Sequence, residues 1–250
     1  ARARRLIRKA THRTNLPHSE KAAPDMTAPS PVQLALTQNR LDEIARQMAK
    51  VMVRTARSTV LSLSHDFSCF VSDADGAIIS QADGCPIHTG CGGHSIKALL
   101  AAFENDVHPG DVFLMNDPYV AGGNHLADWV VARPAYHGGQ RIGFACNRAH
   151  QSDIGGGAAG TFNPRATEIW HEGIRLPPLK LYRQGEVCED LWQLLLLNCR
   201  TPDLIDGDLR AMVGSTEIGR DRLEEIATDL GLDQTRAWFR GVPAHGERMA

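Results

Sequence analysis

The stretch Asp128-Trp129-Val130-Val131-Ala132-Arg133-Pro134-Ala135-Tyr136-His137-Gly138-Gly139-Gln140-Arg141-Ile142-Gly143-Phe144-Ala145-Cys146-Asn147 decides how this chain folds. Two largely apolar runs flank Gly138-Gly139, a pair that adopts the positive φ of a tight hairpin turn without steric cost. Residues 128–137 and 140–147 therefore read as two antiparallel strands. The register then decides which side chains meet at the open end. A two-residue loop pairs Asp128 with Ala149, and a three-residue loop pairs Leu126 with His150. In either case His125, Asp128, His150 and Asp153 collect at one end of the ribbon. Only the three-residue register, or a bulge, puts Asp128 and His150 on one face.

Working outward, a first hairpin is expected from Phe67–Val71 and Ala77–Gln81, around Asp73-Ala74-Asp75-Gly76. Residues 82–93 read as a Gly-rich loop. Ile96, Leu99, Leu100 and Phe103 recur at helical spacing before Pro109-Gly110, and Val112–Met115 reads as a buried strand stopped by Asn116-Asp117-Pro118. Upstream, Leu41, Ile44, Met48, Val51 and Thr55 mark a helix, with Asn39 and Asp42 resembling its start. Downstream, residues 189–199 and 208–230 read as helices, Gly231 ending the second. Hairpins and helices without regular βαβ alternation give an α+β class: a hairpin-rich mixed sheet packed with helices, part of a larger domain.

Composition narrows the function. Apolar residues make up 42% of the 250 and charged residues 22%, so a sizeable core is available. Residues 1–25 hold seven Lys/Arg against Glu20 and Asp25, while the remainder holds 20 basic against 27 acidic residues. The mildly acidic body offers no footprint for nucleic acid. No apolar run approaches the roughly 20 residues of a membrane helix. Arg4-Arg5 is not followed by the apolar stretch of a signal peptide, and Pro17 and Pro24 interrupt the segment. Residues 1–30 are expected to be a disordered or non-native extension, and residues 31–250 the folded part. Six cysteines without a CxxC pair imply reduced thiols and a cytoplasmic protein.

Two imidazoles and a carboxylate at His125, Asp128 and His150 suit a divalent transition ion such as Mn, Zn or Fe, with positions open for water or substrate; the competing reading is polar residues capping turns and strand ends. A rival set is Cys85, His88, Cys91 and His94, at every third position. That spacing is tighter than the paired knuckles of structural zinc sites, so the preferred reading leaves the cysteines in core or loop and turns His88 into the cleft. Asn116 and Asp117 close a buried strand, either to orient a substrate or as an Asx-turn. Arg148 is suited to an anionic group or to a surface ion pair. Glu168, His171 and Glu172 read mainly as charged loop residues. No Gly-Lys-Ser/Thr follows the glycines of 155–160, and neither GxSxG nor HExxH occurs, so no short motif binds ATP here.

The strings Asp66-Phe67-Ser68-Cys69, Pro86-Ile87-His88-Thr89-Gly90, Pro109-Gly110-Asp111-Val112, Asn116-Asp117-Pro118-Tyr119 and Gly122-Gly123-Asn124-His125-Leu126-Ala127-Asp128 resemble the hydantoinase B/oxoprolinase family. So do Arg148-Ala149-His150-Gln151-Ser152-Asp153-Ile154-Gly155-Gly156, Thr167-Glu168-Ile169, Glu172-Gly173-Ile174-Arg175-Leu176-Pro177-Pro178 and Gly207-Asp208-Leu209. The resemblance implies the front part of a B-type subunit, whose A-type partner uses ATP to activate a cyclic amide such as a hydantoin or 5-oxoproline. In a carboxylase branch the substrate is a ketone, and the metal sits at positions that look like His125, Asp128 and His150. In the leading reading, hydrolysis of a cyclic amide, His88 or Asp153 is the proton carrier and Arg148, Asn116 and Asp117 orient the substrate. A non-catalytic assembly piece is the alternative from another class. Leu61–Ser64 departs from the family, which commonly places a carboxylate there; if that carboxylate is a ligand or base, either His65 or Asp66 replaces it or the chemistry differs.

Overall fold

Ser30 begins the first helix. Its hydroxyl accepts the Gln33 N–H at 3.3 Å while the Gln33 side chain accepts the Ser30 N–H at 2.9 Å, with Pro31 in the first turn. The computed structural model describes residues 30–82, 84–88 and 90–249, so the expected N-terminal extension lies almost wholly outside it. Helix α1 spans Pro31–Thr55, and its N-cap Ser30 lies nine residues before the Asn39 expected to open it. Asp42 instead lies inside the helix and accepts from Ser80 Oγ at 2.6 Å. One face of α1 buries Leu41, Ile44, Met48 and Met52, each contributing about 1.5–3 kcal/mol of burial.

A short helix α2 (Thr59–Ser62) leads into β1 (Phe67–Asp73) and β2 (Ile78–Gln81). The loop of 82–93 holds a single 3-10 turn, Pro86–His88, before α3 (Gly92–Phe103). Then come β3 (Val112–Met115), β4 (Asp128–His137), β5 (Gln140–His150), β6 (Leu179–Arg183) and β7 (Glu186–Val187). The chain continues through α4 (Glu189–Leu197), α5 (Pro202–Leu230) and α6 (Leu232–Met249). The α+β class is as expected. Within it, the seven strands run in the order β2-β1-β5-β4-β3-β6-β7, and every pairing is antiparallel.

α1 and α5 cover one face of the sheet through Trp129, Val131, Ala145 and Ala149. α3 covers the other through Phe70, Phe113, Val130 and Phe144. With both faces buried, β1 and most of β4 and β5 carry no exposed residue. α5 begins six residues earlier than the sequence suggests, because Pro202 fits the first turn. β6, β7 and α6 have no counterpart in the sequence reading. Among the described residues no helix is long and apolar enough to cross a membrane, and none of the six cysteines forms a disulfide.

Candidate metal centre

The second hairpin closes at Gly138-Gly139, both at positive φ, and pairs His137 with Gln140. Between Ala135 and Tyr136 the register shifts, so that Tyr136 faces Arg141 while Ala135 faces Gly143. Ile142 is the extra residue of a bulge. The shift carries Asp128 directly opposite His150, and facing residues share a side of the sheet. That side is the α3 side.

There the two imidazoles converge on one carboxylate. His125 Nε2 lies 2.8 Å from Asp128 Oδ1, and His150 Nδ1 lies 3.4 Å from the same oxygen. The His125 and His150 ring centroids are 4.9 Å apart. His88, 3% exposed, approaches from the turn before α3, its Nε2 3.2 Å from Asp128 Oδ2. Its Nδ1 meets Ser68 Oγ at 3.2 Å. Asp128 is 2% exposed. Burial alone pushes its carboxyl up, but the adjoining imidazoles of His125, His150 and His88 win, holding it well below the usual carboxylate range. The Asp128 hydrogen bond in turn raises His125 against the opposing effect of burial, helped by the charges of Asp66 and Glu172.

Three features fit a cation here. His125, Asp128 and His150 each offer a ligand atom within 4.8 Å of the others. Thr161 Oγ1 stands 2.6 Å from His150 Nε2. If that nitrogen carries the proton, the lone pair of Nδ1 faces Asp128 Oδ1, an arrangement that needs a proton or a cation between them. Third, Asp128 Oδ2 is buried and, although close to His88, has no hydrogen-bond partner of good geometry.

The other expected residues divide. Arg148 lies on the same side of β5 as His150 and is 1% exposed. Its Nη2 donates to Ser95 Oγ at 3.1 Å and to Gly122 O at 3.2 Å, while Nε and Nη1 lack partners among the described residues. Burial pulls this guanidinium below its ordinary pKa. It is no surface ion pair. Asn116 Nδ2 donates to Leu126 O at 2.7 Å and Ile174 O at 2.8 Å, and its Oδ1 accepts the Leu176 N–H at 2.6 Å. Both amide hydrogens are therefore committed to backbone, so Asn116 positions the loop that carries His125 rather than a substrate. Asp117 is likewise engaged, by the Tyr119 N–H and by Arg175 Nε, both at 2.9 Å. Asp153, expected as a proton carrier, accepts from the Gly155 N–H at 2.8 Å and from the Arg200 N–H at 2.9 Å, with Arg200 Nη1 at 3.2 Å. Its carboxylate clamps two loops together.

The rival set does not assemble as four ligands. Among the described residues Cys85 and His88 group instead with Asp66, their ligand atoms within 4.8 Å of one another. Cys91 precedes α3, and His94 lies in its first turn. Asp66 Oδ2 reaches to 3.9 Å from His150 Nδ1, so of the two residues proposed to replace the missing family carboxylate, Asp66 is the one at the centre. His171 is exposed and bonded to the Thr167 N–H at 3.3 Å. Thr161, Ser68 and Ser95 were not legible as site residues: each depends on which loop or strand lies beside it.

An antiparallel sheet between helices, with imidazoles gathered around the buried carboxylate of Asp128 at the end of its central hairpin, defines an α+β protein. The family model for Hydantoinase B/oxoprolinase matches residues 30–250, and the chain belongs to that family. It is 35% identical over 212 residues to the caprolactamase subunit beta of Pseudomonas jessenii, covering 85% of this chain and 36% of that one. The crystal structure of the ATP-dependent caprolactamase from that organism superposes with a TM-score of 0.83 at 33% identity, over 88% of this chain and 38% of the other. A 5-oxoprolinase of Dictyostelium discoideum is 31% identical over 217 residues, 87% of this chain and 17% of that protein. The nucleotide-free structure of an acetone carboxylase shares the fold alone, with a TM-score of 0.77 at 20% identity over 84% of this chain and 28% of that one. The chain thus spans well under half the length of the relatives it matches.

Proposed function

We propose that this chain is the metal-bearing front part of a B-type subunit in an ATP-dependent cyclic-amide hydrolase, working in the cytoplasm on a substrate activated by an A-type partner. The observation that carries this reading is the convergence of His125 and His150 on the buried carboxylate of Asp128, with one oxygen left over, in a chain related to cyclic-amide hydrolases. A divalent transition ion bound there supplies Lewis-acid polarisation of an amide carbonyl and a water of lowered pKa. The protein's own groups prepare for it. Asp128 stays ionised, Thr161 holds the His150 ring, and His88 braces the far oxygen of Asp128. Arg148, with two unengaged nitrogens beside the Gly122-Gly123 loop, is placed to hold an anionic group of the activated substrate. Asn116, Asp117 and Asp153 keep the surrounding loops in position.

Metal content by mass spectrometry tests the centre, on the native chain and on His150→Ala. The expected result is a divalent transition metal in the native chain and one equivalent less in the variant. Equal content in both would sink His150 as a ligand. Assay with ATP, an A-type partner and cyclic amides then tests the reaction class; consumption of bicarbonate with a ketone instead would place the chain in the carboxylase branch.

A further inference from the structure

Arg148 is a buried charge held only by neutral partners. It is 1% exposed, its Nη2 donates to Ser95 Oγ and Gly122 O, and neither Nε nor Nη1 has a partner among the described residues. A guanidinium buried with no anion beside it is strongly destabilising. The surroundings supply the rest of an anion site. Ser95 stands in the first turn of α3, whose N-cap residue Cys91 makes no side-chain capping hydrogen bond and whose first turn carries no acidic residue. The positive end of that helix dipole is therefore unopposed. The Gly122-Gly123 loop runs between helix and guanidinium: a Cβ at Gly122 would lie 2.9 Å from His94 Cβ, and one at Gly123 2.8 Å from Arg148 Nη1. Cys91, Gly122 and Gly123 are only half-buried, so the cover over this space is thin.

We infer that Arg148 and the uncapped first turn of α3 form a subsite for a phosphate-type oxyanion, on the same side of β5 as His150. The free donors select the shape. Both hydrogens of Nη2 are used, which leaves Nε, Nη1 and the N–H groups of the helix end. These point in separate directions rather than along one fork. A tetrahedral anion presents oxygens in several directions, whereas a planar carboxylate presents two in one plane. The exposed N–H groups of a helix start are a ready phosphate site. Taking the anion to be the phosphoryl group of the activated amide rests on the reaction proposed above; the subsite itself does not. On that reading the subsite serves any amide so activated, with or without an anionic group of its own.

Inorganic phosphate is the probe, titrated calorimetrically into the metal-free chain so that no metal competes for it. The expected result is one equivalent per native chain. Arg148→Gln keeps amide hydrogens for Ser95 and Gly122 but removes the charge, and weakens phosphate binding at least about 10-fold. Cys91→Asp sets a fixed carboxylate at the helix end and weakens it similarly, whereas Cys91→Ser binds like the native chain. Circular dichroism confirms that each variant is folded. No phosphate binding by the native chain overturns the inference. So does native-like binding by Arg148→Gln, or by Cys91→Asp, which would place the anion away from α3. Formate bound as tightly as phosphate overturns it too, making the subsite one for carboxylates. Turnover of a cyclic amide with an A-type partner, by a chain that binds no phosphate, sinks the subsite and keeps the reaction. Phosphate bound as expected without such turnover keeps the subsite and sinks the reaction.

Discussion

Replacing Thr161 by Val tests whether a residue outside the ligand set orients the centre. Thr161 contributes a hydroxyl 2.6 Å from His150 Nε2, and Val keeps nearly the same volume without it. Without that partner the imidazole is free to exchange tautomers and to rotate, so Nδ1 is no longer held toward Asp128 Oδ1, now 3.4 Å away. Loss of such an orienting contact typically weakens metal binding about 10- to 100-fold, which is about 1.4–2.8 kcal/mol. The assay is competition between the metal-free chain and a chromophoric chelator for zinc, with native, Thr161→Val and Thr161→Ser chains side by side. Thr161→Ser restores the hydroxyl and is expected to bind within a few-fold of native. Equal affinity of all three chains would refute the reasoning, because the ring would then be positioned by its strand alone. Equal losses in Val and Ser would refute it too, pointing to packing of the loop.

Asn116→Leu is expected to lower unfolding stability by at least about 3 kcal/mol in urea denaturation, since two carbonyls and one N–H lose a buried partner at about 1–3 kcal/mol each. Gly123→Ala places a methyl group 2.8 Å from Arg148 Nη1 at a backbone φ of +141°, costing about 1–3 kcal/mol from backbone strain alone; an unchanged urea midpoint would contradict the packing. In the metal-free chain, His125 is raised by Asp128, so its contribution to stability is complete below the ordinary imidazole pKa and is lost as pH rises through the raised value. Asp128 is depressed, so its contribution holds above the ordinary carboxylate pKa and is lost only as pH falls through the lowered one. The urea midpoint of the metal-free chain should therefore decline as pH rises above the ordinary imidazole pKa, and this decline should flatten in Asp128→Asn.

Much of this architecture was legible because strong local signals agreed. The Gly-Gly turn and its apolar flanks fixed β4 and β5, and Asp73–Gly76 fixed the first hairpin. The start of α1 was equally available, in Ser30-Pro31-Val32-Gln33, but the weaker Asn39-Asp42 pair sits closer to the apolar repeat. β7 has only two residues, too few to show alternation, although Gln184 and Gly185 take the positive φ of a tight turn. The grouping of His125, Asp128 and His150 followed from the hairpin, whereas its register did not, because nothing at Ile142 announces a bulge. Asn116, Asp117 and Asp153 show the limit most clearly. A polar residue at a strand end has the same sequence appearance whether it holds a ligand or a loop. Only the partners, here Leu176, Arg175 and Arg200, tell the two apart.

The bulge at Ile142 makes the centre a matter of counting. Asp128 is seven residues from Ala135, about 23 Å along a strand, yet the parity of the pairing between them is set at that distance. Inserting one residue into β5 between Gly143 and Ala149, with the turn and the bulge kept, brings Asp128 opposite Ala149 and turns His150 toward the α1 and α5 side. The hairpin therefore behaves like a reading frame. Its tip is free to change residues, while a single change in its length silences the far end.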